Sequence, residues 1–200
     1  MKIERIEEYD ERFEKDIIDQ HGAYVINDET YAFQVLDRDT CRVTFSNRND
    51  LNEAIEEYRF FGGHISCFVD QNGKILKEYD KVSFFDMKLE DIYVSQFYVS
   101  EEKIKRLLPY VKEFLIPVAK IDGKMVSLDG HTRMKIAQLK GISHVNCYYE
   151  EAGDYAKDFM EEAQQRGIFH VYDMPLLSKE EYEEKWHRFC DDFFEQRKAL

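Results

Sequence analysis

The sequence has no excess of positive charge, no paired cysteines and no long apolar run, and each absence argues against a class of protein. Its 200 residues carry 28 Lys and Arg against 41 Asp and Glu, a formal net charge of −13. Binding to a polyanion would need a local basic patch that these totals hide. We therefore expect no direct DNA binding, and a gel shift that persisted at moderate salt would overturn this expectation.

The cysteines and the hydropathy predict a cytoplasmic protein. Cys41, Cys67, Cys147 and Cys190 lie far apart and form no CxxC or Cys/His pair, which favours reduced, buried thiols over a disulfide framework or a zinc site. The opening residues MKIERIEEYDERFEK have no apolar signal-peptide core, and no stretch approaches the ~20 apolar residues of a membrane span. A chain of this length can bury a core without such staples.

Residues 1–80 predict a small α+β unit. Apolar residues recur every three or four positions from Ile3 to Ile18, which predicts an amphipathic helix over residues 1–20. Three alternating segments follow at 24–26, 31–36 and 41–46 and predict strands. Further on, HISCFVD and KILKEY are joined by an Asn-Gly pair, the strongest short hairpin signal.

A helix is predicted over LNEAIEEYRFF. Asp50 and Glu53 form a capping-box pattern before it, and Gly62-Gly63 predicts a left-handed end. The aromatic side chains around this helix could line a ligand groove, but core packing is the simpler interpretation.

Residues 81–150 read as strand, helix, strand, strand, helix, strand, which predicts helices lying on a mixed sheet. Ser100 caps the first helix, the tight turn Asp122-Gly123 joins two strands, and the second helix, from about 132 to 140, ends at Gly141.

Residues 151–200 predict an acidic helical extension. One helix ends at Gly167, and a second begins with the capping box Ser178 and Glu181. An aromatic stripe on the second helix could dock a partner helix or pack on its own domain, and burial is the simpler interpretation. The stripe comprises Tyr182, Trp186, Phe189 and Phe193.

The stretch VSLDGHTRMKIAQLKG concentrates polar side chains at the start of a predicted helix. The first N–H groups of a helix lack intrahelical partners and attract anions. Gly130 permits close approach to the backbone, Arg133 offers a planar fork for phosphate oxygens, and Thr132 and His131 add hydroxyl and imidazole donors. Asp129 would hold a cation, accept a hydroxyl proton or fix the loop.

An ordinary turn explains the same residues. Asp-Gly is a common turn, Thr a common cap, and an Arg in the first helical turn is usually solvated. The residues alone leave both interpretations open.

The stretch from about Phe85 to Glu150 resembles the ParB/sulfiredoxin-like superfamily, also described as the ParB N-terminal-like nuclease domain. IYVSQF matches its opening polar segment, LIPVAKIDGK its PIPV-like strand, and VSLDGHTRMKIAQLKG its Gly-x-x-Arg turn and helix. In that family this turn binds nucleotide phosphates, and Gly130 and Arg133 match its two fixed points. The resemblance implies a mixed-sheet domain flanked by the N-terminal unit and the C-terminal extension.

The branches of the superfamily differ at the same turn. Sulfiredoxins carry a catalytic cysteine where this chain has His131, and partition proteins add a DNA-binding module that the acidic tail does not resemble. Free serine kinases carry DGHHR, close to DGHTR here. Their acidic base matches best at Gln96, which cannot abstract a proton, so Glu101, Glu102 or Asp129 would have to substitute.

Two functional hypotheses follow. The first is a nucleotide-binding ParB-like protein, a phosphotransferase or nucleotide hydrolase that acts on a small molecule. It would use CTP, ATP or ADP with Mg²⁺, phosphate-binding residues Gln96, Gly130, His131, Thr132 and Arg133, and catalytic residues Asp129 and His131. The second is a non-catalytic regulatory module, DNA-associated in its setting, that holds a protein partner through the acidic C-terminal helices.

Overall fold

The chain forms an α+β fold of two compact units, Met1–Val82 and Ser83–Leu200, in a computed structural model. Residues 2–109, 111 and 113–198 are described, so positions 199 and 200 of the predicted tail lie outside them. A six-stranded sheet builds the first unit, and a five-stranded sheet with a separate strand pair builds the second.

The sheet of the first unit follows chain order, with every neighbouring pair antiparallel except β4 and β5. Those two strands are parallel because helix α2 crosses between them. The predicted strands and the Asn-Gly hairpin are confirmed. The elements are β1 (Ile3–Arg5), α1 (Lys15–Asp19), β2 (Ala23–Ile26), β3 (Glu29–Val35), β4 (Thr40–Phe45), α2 (Leu51–Phe61), β5 (Cys67–Val69) and β6 (Ile75–Glu78).

Aromatic side chains fill the core of this unit. Phe33 stacks on Tyr58 with ring centroids 4.3 Å apart, and Phe68 meets both rings edge-on. Core packing therefore accounts for these rings. It does not account for Phe60 and Phe61, which are exposed at the end of α2.

The predicted helix over residues 1–20 is wrong for most of its length. Ile3 to Arg5 form an edge strand because their backbone pairs with β2, with Ile3 opposite Ile26. Only α1 is helical, and its Ile17 and Ile18 pack with Phe13 in a small separate cluster. A three-to-four spacing of apolar residues cannot reveal pairing with a distant strand.

Both predicted end signals of α2 are also wrong, although the helix itself is confirmed. The Asp50 side chain makes no cap hydrogen bond, because its carboxylate accepts a hydrogen bond from Asn27 Nδ2 at 3.1 Å instead. Gly62 ends the helix with a φ of −119°, outside the left-handed region, and Gly63 has no positive φ either.

The sheet of the second unit has the order β7-β12-β10-β11-β8. It is mixed, since β12 runs parallel to β10 and β8 parallel to β11 while the other neighbours are antiparallel. The predicted order is confirmed from the first helix onward, but the single strand predicted before that helix is replaced by three short strands and a 3₁₀ turn. The elements are β7 (Phe84–Lys88), a 3₁₀ turn (Leu89–Asp91), β8 (Ile92–Val94), β9 (Val99–Ser100), α3 (Glu101–Leu107), β10 (Leu115–Ile121), β11 (Lys124–Ser127), α4 (His131–Leu139), β12 (His144–Tyr149), α5 (Ala156–Gln165) and β13 (Leu176–Leu177).

One uninterrupted helical stretch ends the described chain, made of α6 (Lys179–Tyr182), a π-helical turn (Glu183–His187) and α7 (Arg188–Lys198). The predicted capping box is confirmed, since Ser178 Oγ accepts the Glu181 N–H at 3.2 Å and the Glu181 carboxylate accepts the Ser178 N–H. Trp186 and Phe189 pack on the core of the second unit and touch Phe97. Tyr182 is buried and these two rings are half-buried, so the predicted packing of the stripe on its own domain is confirmed for these three members.

Within the described residues, no helix has both the length and the apolar character to span a membrane. All four cysteines are free thiols, and Cys41 and Cys147 are fully buried.

Candidate functional site

The turn from β11 into α4 requires glycine at position 130. Gly130 adopts φ 81° and ψ 15°, a left-handed conformation, and its carbonyl accepts the Met134 N–H at 2.8 Å to begin the helix. A Cβ here would come within 2.9 Å of Ile116 Cδ1 and 3.1 Å of Arg133 Nη2. A larger residue would therefore be strained by the backbone angle and would have to push two side-chain ends aside.

Arg133 folds back over this glycine. Its Nη2 donates to Asp129 Oδ2 at 3.0 Å, and its guanidinium lies against the Gly130 backbone. The two side chains are 27% and 73% exposed, so solvent screens the pair and it adds little stability. A competing anion could therefore draw the guanidinium away at small cost.

His131 faces inward and does not present its imidazole to a ligand. The ring is buried, and Nε2 accepts the backbone N–H of Ser95 at 3.2 Å with Ser127 Oγ 3.0 Å away. Because the Ser95 amide can only donate, Nε2 must carry a lone pair. Burial lowers the pKa of His131 to about 4, so the ring is neutral at pH 7. The expected imidazole donor is thus a positioning residue that joins β8, β11 and α4.

The N-cap position of α4 offers no side chain to the first helical turn. Gly130 at the N-cap has no side chain with which to cap α4, so the early N–H groups receive no side-chain acceptor from that position. Thr132 and Arg133 in this turn are half-buried, so both are accessible in part. These groups and the Arg133 guanidinium are the donors at this turn.

Gln96 is held by its own loop and by the C-terminal helical stretch. Its Nε2 donates to the Tyr98 carbonyl and, at 3.0 Å, to the Tyr182 hydroxyl. Tyr182 is buried, and burial raises its pKa with a smaller contribution from the Asp129 carboxylate. Tyr182 therefore stands within electrostatic reach of the turn, a proximity that the sequence did not reveal.

The two glutamates considered as substitute bases lie in the first turn of α3 and are exposed. Glu101 is engaged by Lys105, whose Nζ lies 3.3 Å from the Glu101 carboxylate.

Glu150 is a carboxylate that the sequence analysis missed. It follows β12 and is half-buried. Burial raises its pKa most and the nearby Asp129 carboxylate raises it further, while a hydrogen bond with Tyr148 and the charge of Arg133 lower it. Glu150 therefore belongs to the same electrostatic cluster as Asp129 and Arg133.

The sheet register explains why Glu150 reaches the turn. Val118 in β10 stands opposite both Ser127 of β11 and Tyr149 of β12, so the ends of those two strands are level on either side of β10. The Glu150 N–H donates to the Val118 carbonyl at 3.0 Å. Only the strand order and register could have revealed this neighbour, since it lies 21 positions from Asp129 along the chain.

The cluster carries two carboxylates and one guanidinium, a negative balance that opposes phosphate unless a cation or a proton compensates it. Carboxylate oxygens suit Mg²⁺, which commonly takes one or two protein carboxylates together with phosphate oxygens. Asp129, whose side chain is 73% exposed at the turn, is such a donor. Among the described residues, no group of three or more His, Cys, Asp or Glu side chains could hold a metal ion without such help.

No protein-family model and no curated protein matches this chain. Among solved structures, it is similar to the crystal structure of protein Atu1540 from Agrobacterium tumefaciens, at 10% sequence identity and a TM-score of 0.34. The match covers 48% of this chain and 63% of that one, so less than two thirds of Atu1540 is spanned. A match at this level supports no statement about function.

Proposed function

We propose that this protein binds a nucleoside di- or triphosphate at the turn Asp129–Arg133, as a ParB/sulfiredoxin-like protein, and acts on its phosphoryl groups. One observation carries the proposal: a left-handed Gly130 opens α4 while the Arg133 guanidinium lies directly over it. Backbone N–H donors, the positive end of a helix dipole and a planar cation thus lie together at this turn. Each of these groups favours the binding of phosphate oxygens. CTP, ATP and ADP are the candidate ligands.

Each residue of the turn takes a distinct part. The N–H groups of the first helical turn, the Thr132 hydroxyl and the Arg133 guanidinium hold phosphate oxygens, and buried His131 fixes the turn from behind. Asp129 keeps Arg133 in place until phosphate replaces it. Mg²⁺, when bound with the nucleotide, would neutralise phosphate charge, and Asp129 would hold it once the Arg133 guanidinium has moved to the phosphate.

Glu150 adds a candidate base that the kinase-like reaction requires. A base must accept the proton of an acceptor hydroxyl as that oxygen bonds to phosphorus and the nucleoside phosphate leaves. Gln96 cannot do this, and Asp129, which contacts Arg133 in the free protein, is assigned to Mg²⁺ when nucleotide binds. The raised pKa of Glu150 brings it closer to the working pH of a base. Its half-buried position keeps it in partial contact with solvent and substrate.

Calorimetric titration with CTP, ATP and ADP, each with and without Mg²⁺, tests the site. We expect Arg133→Ala to weaken the binding of whichever nucleotide binds by about tenfold or more, since a charge-assisted phosphate contact is lost. Arg133→Lys should recover part of the affinity, and Arg188→Ala, an exposed arginine on α7, should change nothing. Unchanged affinity in Arg133→Ala, or no binding across the panel, would refute the proposal. Phosphate-release assays then separate an enzyme from a switch, with Glu150→Gln as the test of the base.

A second candidate, a non-catalytic interaction module, has one observation in its favour. A groove of about 470 Å³ runs along α5 and α7. Its lining combines aromatic rings with acidic side chains, which suits a basic partner segment. It is lined by Asp158, Glu161, Glu162, Gln165, Phe189, Asp192, Phe193 and Gln196.

Charge reversal distinguishes this module from the first proposal. Deleting the tail would remove core residues such as Trp186, so Asp192→Lys is the cleaner variant. It should weaken binding of a basic synthetic peptide at this groove, whereas Glu195→Lys, exposed on the same helix outside the groove lining, should leave that binding intact. Nucleotide turnover would argue against the module.

A further inference from the structure

A groove on the first unit lies between the exposed face of α2 and the edge strand β1. We call it the Phe60 groove. Its volume is about 600 Å³, within the range of ligand-binding clefts. Its lining is largely apolar at one end and acidic along the helix. It is lined by Ile3, Asn52, Glu53, Glu56, Glu57, Phe60 and Phe61.

The phenylalanines of this groove are not part of a core. Helix α2 buries its other face, with Leu51, Ala54, Ile55 and Tyr58 turned inward. Phe60 and Phe61 follow on the last turn, 76% and 52% exposed, with their rings edge-to-face at 5.0 Å. Two adjacent exposed aromatic rings beside an apolar strand residue form the kind of patch that marks an interaction surface.

The edge of the sheet supplies a second, independent observation. Strand β1 is the outermost strand and pairs only with β2. The Asn27 N–H donates to the Lys2 carbonyl and the Ile6 N–H to the Ala23 carbonyl, so alternate residues of this segment point to β2. The intervening peptide groups of Ile3 and Arg5 therefore point away from β2, toward the open edge.

The charge of the groove selects its occupant. Glu53 and Glu57 line it, and neither forms an ion pair with another described residue, while the third glutamate, Glu56, accepts from Lys77 at 2.6 Å. The chain's own Arg5 places its guanidinium 4.4 Å from the Phe61 ring centroid. Arg5 and Lys77 of the chain itself therefore show that cations can contact both the aromatic rings and the carboxylates of this surface.

We propose that the Phe60 groove binds an extended segment of a partner protein that adds as a strand to β1. The segment places a large apolar side chain against Ile3, Phe60 and Phe61, and alternate Lys or Arg side chains reach Glu53 and Glu57. Main-chain hydrogen bonds supply affinity and the alternating side chains supply specificity, as in other cases of strand addition. A second copy of this chain is a poor occupant, because it brings the same carboxylates and a formal net charge of −13 to the surface.

Two labelled synthetic peptides of about nine residues, long enough for one strand with flanks, test the proposal on the full chain. One has a central Phe with Lys and Arg at alternate positions, and the other has Glu at those positions. Fluorescence anisotropy should show binding of the basic peptide only, and hydrogen exchange at the Ile3 and Arg5 amides should slow when it binds.

Variants test the aromatic, strand-edge and acidic parts of the groove separately. Phe60→Ser should weaken peptide binding by about tenfold, as for an aromatic anchor, whereas Tyr9→Ser, the removal of an 86%-exposed ring elsewhere in this unit, should not. Ile3→Pro removes the outward N–H without touching the ladder to β2 and should weaken binding, and Ile3→Val retains the N–H and should not. Glu53→Gln with Glu57→Gln should reduce the preference for the basic peptide.

Several results would overturn the proposal. They are binding of neither peptide at about 1 mM, equal binding of both, and binding that survives both Phe60→Ser and Ile3→Pro. Sedimentation that shows a dimer in wild type and a monomer in Phe60→Ser would assign the groove to a second copy instead.

Discussion

The backbone N–H of Ser95 donates to Nε2 of His131 across 3.2 Å, joining the end of β8 to the first residue of α4. Both groups are buried, so the bond holds the start of the helix against the sheet with no water to compete. The imidazole therefore holds the turn in place from its buried side. The residues of the turn that can face a ligand are Gly130, Thr132 and Arg133.

Stability should depend on His131 at mildly acid pH. Burial lowers its pKa in the folded chain to about 4 from an ordinary 6.5, so its contribution is complete above pH 6.5 and is lost as pH falls from 6.5 toward 4. The native state then loses about 1.4 kcal/mol per pH unit relative to an unfolded chain that takes up the proton. Urea unfolding should show about 2 kcal/mol more loss between pH 7 and 5 in wild type than in His131→Gln.

The exposed His144 provides the control for that comparison. His144→Gln should keep the wild-type pH dependence, because it leaves the buried contact of His131 with Ser95 intact. Equal pH dependence in wild type and His131→Gln would mean that the buried ring titrates normally.

Gly130→Ala and Gly123→Ala form a matched pair. Their φ angles are nearly equal, 81° and 80°, but a Cβ at Gly130 would meet Ile116 and Arg133 whereas one at Gly123 would meet nothing within 4 Å. We expect Gly123→Ala to cost about 1 kcal/mol from its backbone angle alone, and Gly130→Ala about 2 to 3 kcal/mol because the neighbours must also move. Denaturant unfolding measures both, and equal costs would show that crowding at position 130 is absent.

Asp129→Asn should separate stability from ligand binding. The ion pair with Arg133 is solvent-screened, so the free energy of unfolding should change by no more than about 0.5 kcal/mol. Without Mg²⁺, nucleotide affinity should rise, because the guanidinium is released and one repelling carboxylate is neutralised; with Mg²⁺ it should fall. Calorimetry in EDTA and in Mg²⁺ checks both signs, and Asp122→Asn, at an exposed turn, is the control.

The burial of Lys135 predicts that the free energy of unfolding rises with pH in the alkaline range. It is a buried residue of α4 whose Nζ donates to the Val171 carbonyl at 3.2 Å, and burial lowers its pKa below 10.5 while Asp173 opposes the shift. Because its folded pKa lies below the unfolded value, its contribution to stability is complete only above 10.5. Wild type should therefore gain stability relative to Lys135→Met as pH rises toward 10.5. A constant difference in unfolding free energy across that range would contradict burial of the charge.

The sequence predicted the second unit better than the first because its signals were local. Ser100, Gly141, Ser178 and the turn Asp122-Gly123 act within a few residues of themselves, and each does what the pattern indicated. Pairing is not local, so the strand at Ile3 stayed hidden behind a helical spacing that depended on residues such as Tyr9, which is fully outside the core. Likewise, Asp50 failed as a cap because Asn27, 23 positions away, holds its carboxylate.

The residues of the candidate site also fall into those that local sequence patterns predict and those that depend on long-range contacts. The glycine and the arginine of the turn could be named from spacing, since a helix start and its third residue are geometric neighbours. The inward rotation of His131 depends on Ser95, and the presence of Glu150 and Tyr182 depends on strand register and on the path of the C-terminal helical stretch. None of these is encoded within a short window of sequence.

The π-helical turn Glu183–His187 makes the length of the C-terminal helical stretch as important as its composition. A π turn adds one residue to the regular helical count, and here it separates Tyr182, which meets Gln96, from Phe189, which packs on Phe97. Deleting a single residue within it would restore a regular helix and rotate one segment by about 100° against the other. Tyr182 and Phe189 could then no longer both reach their partners. We therefore expect an insertion or deletion in this turn to destabilise the protein, although the exposed side chains of the turn would tolerate substitution.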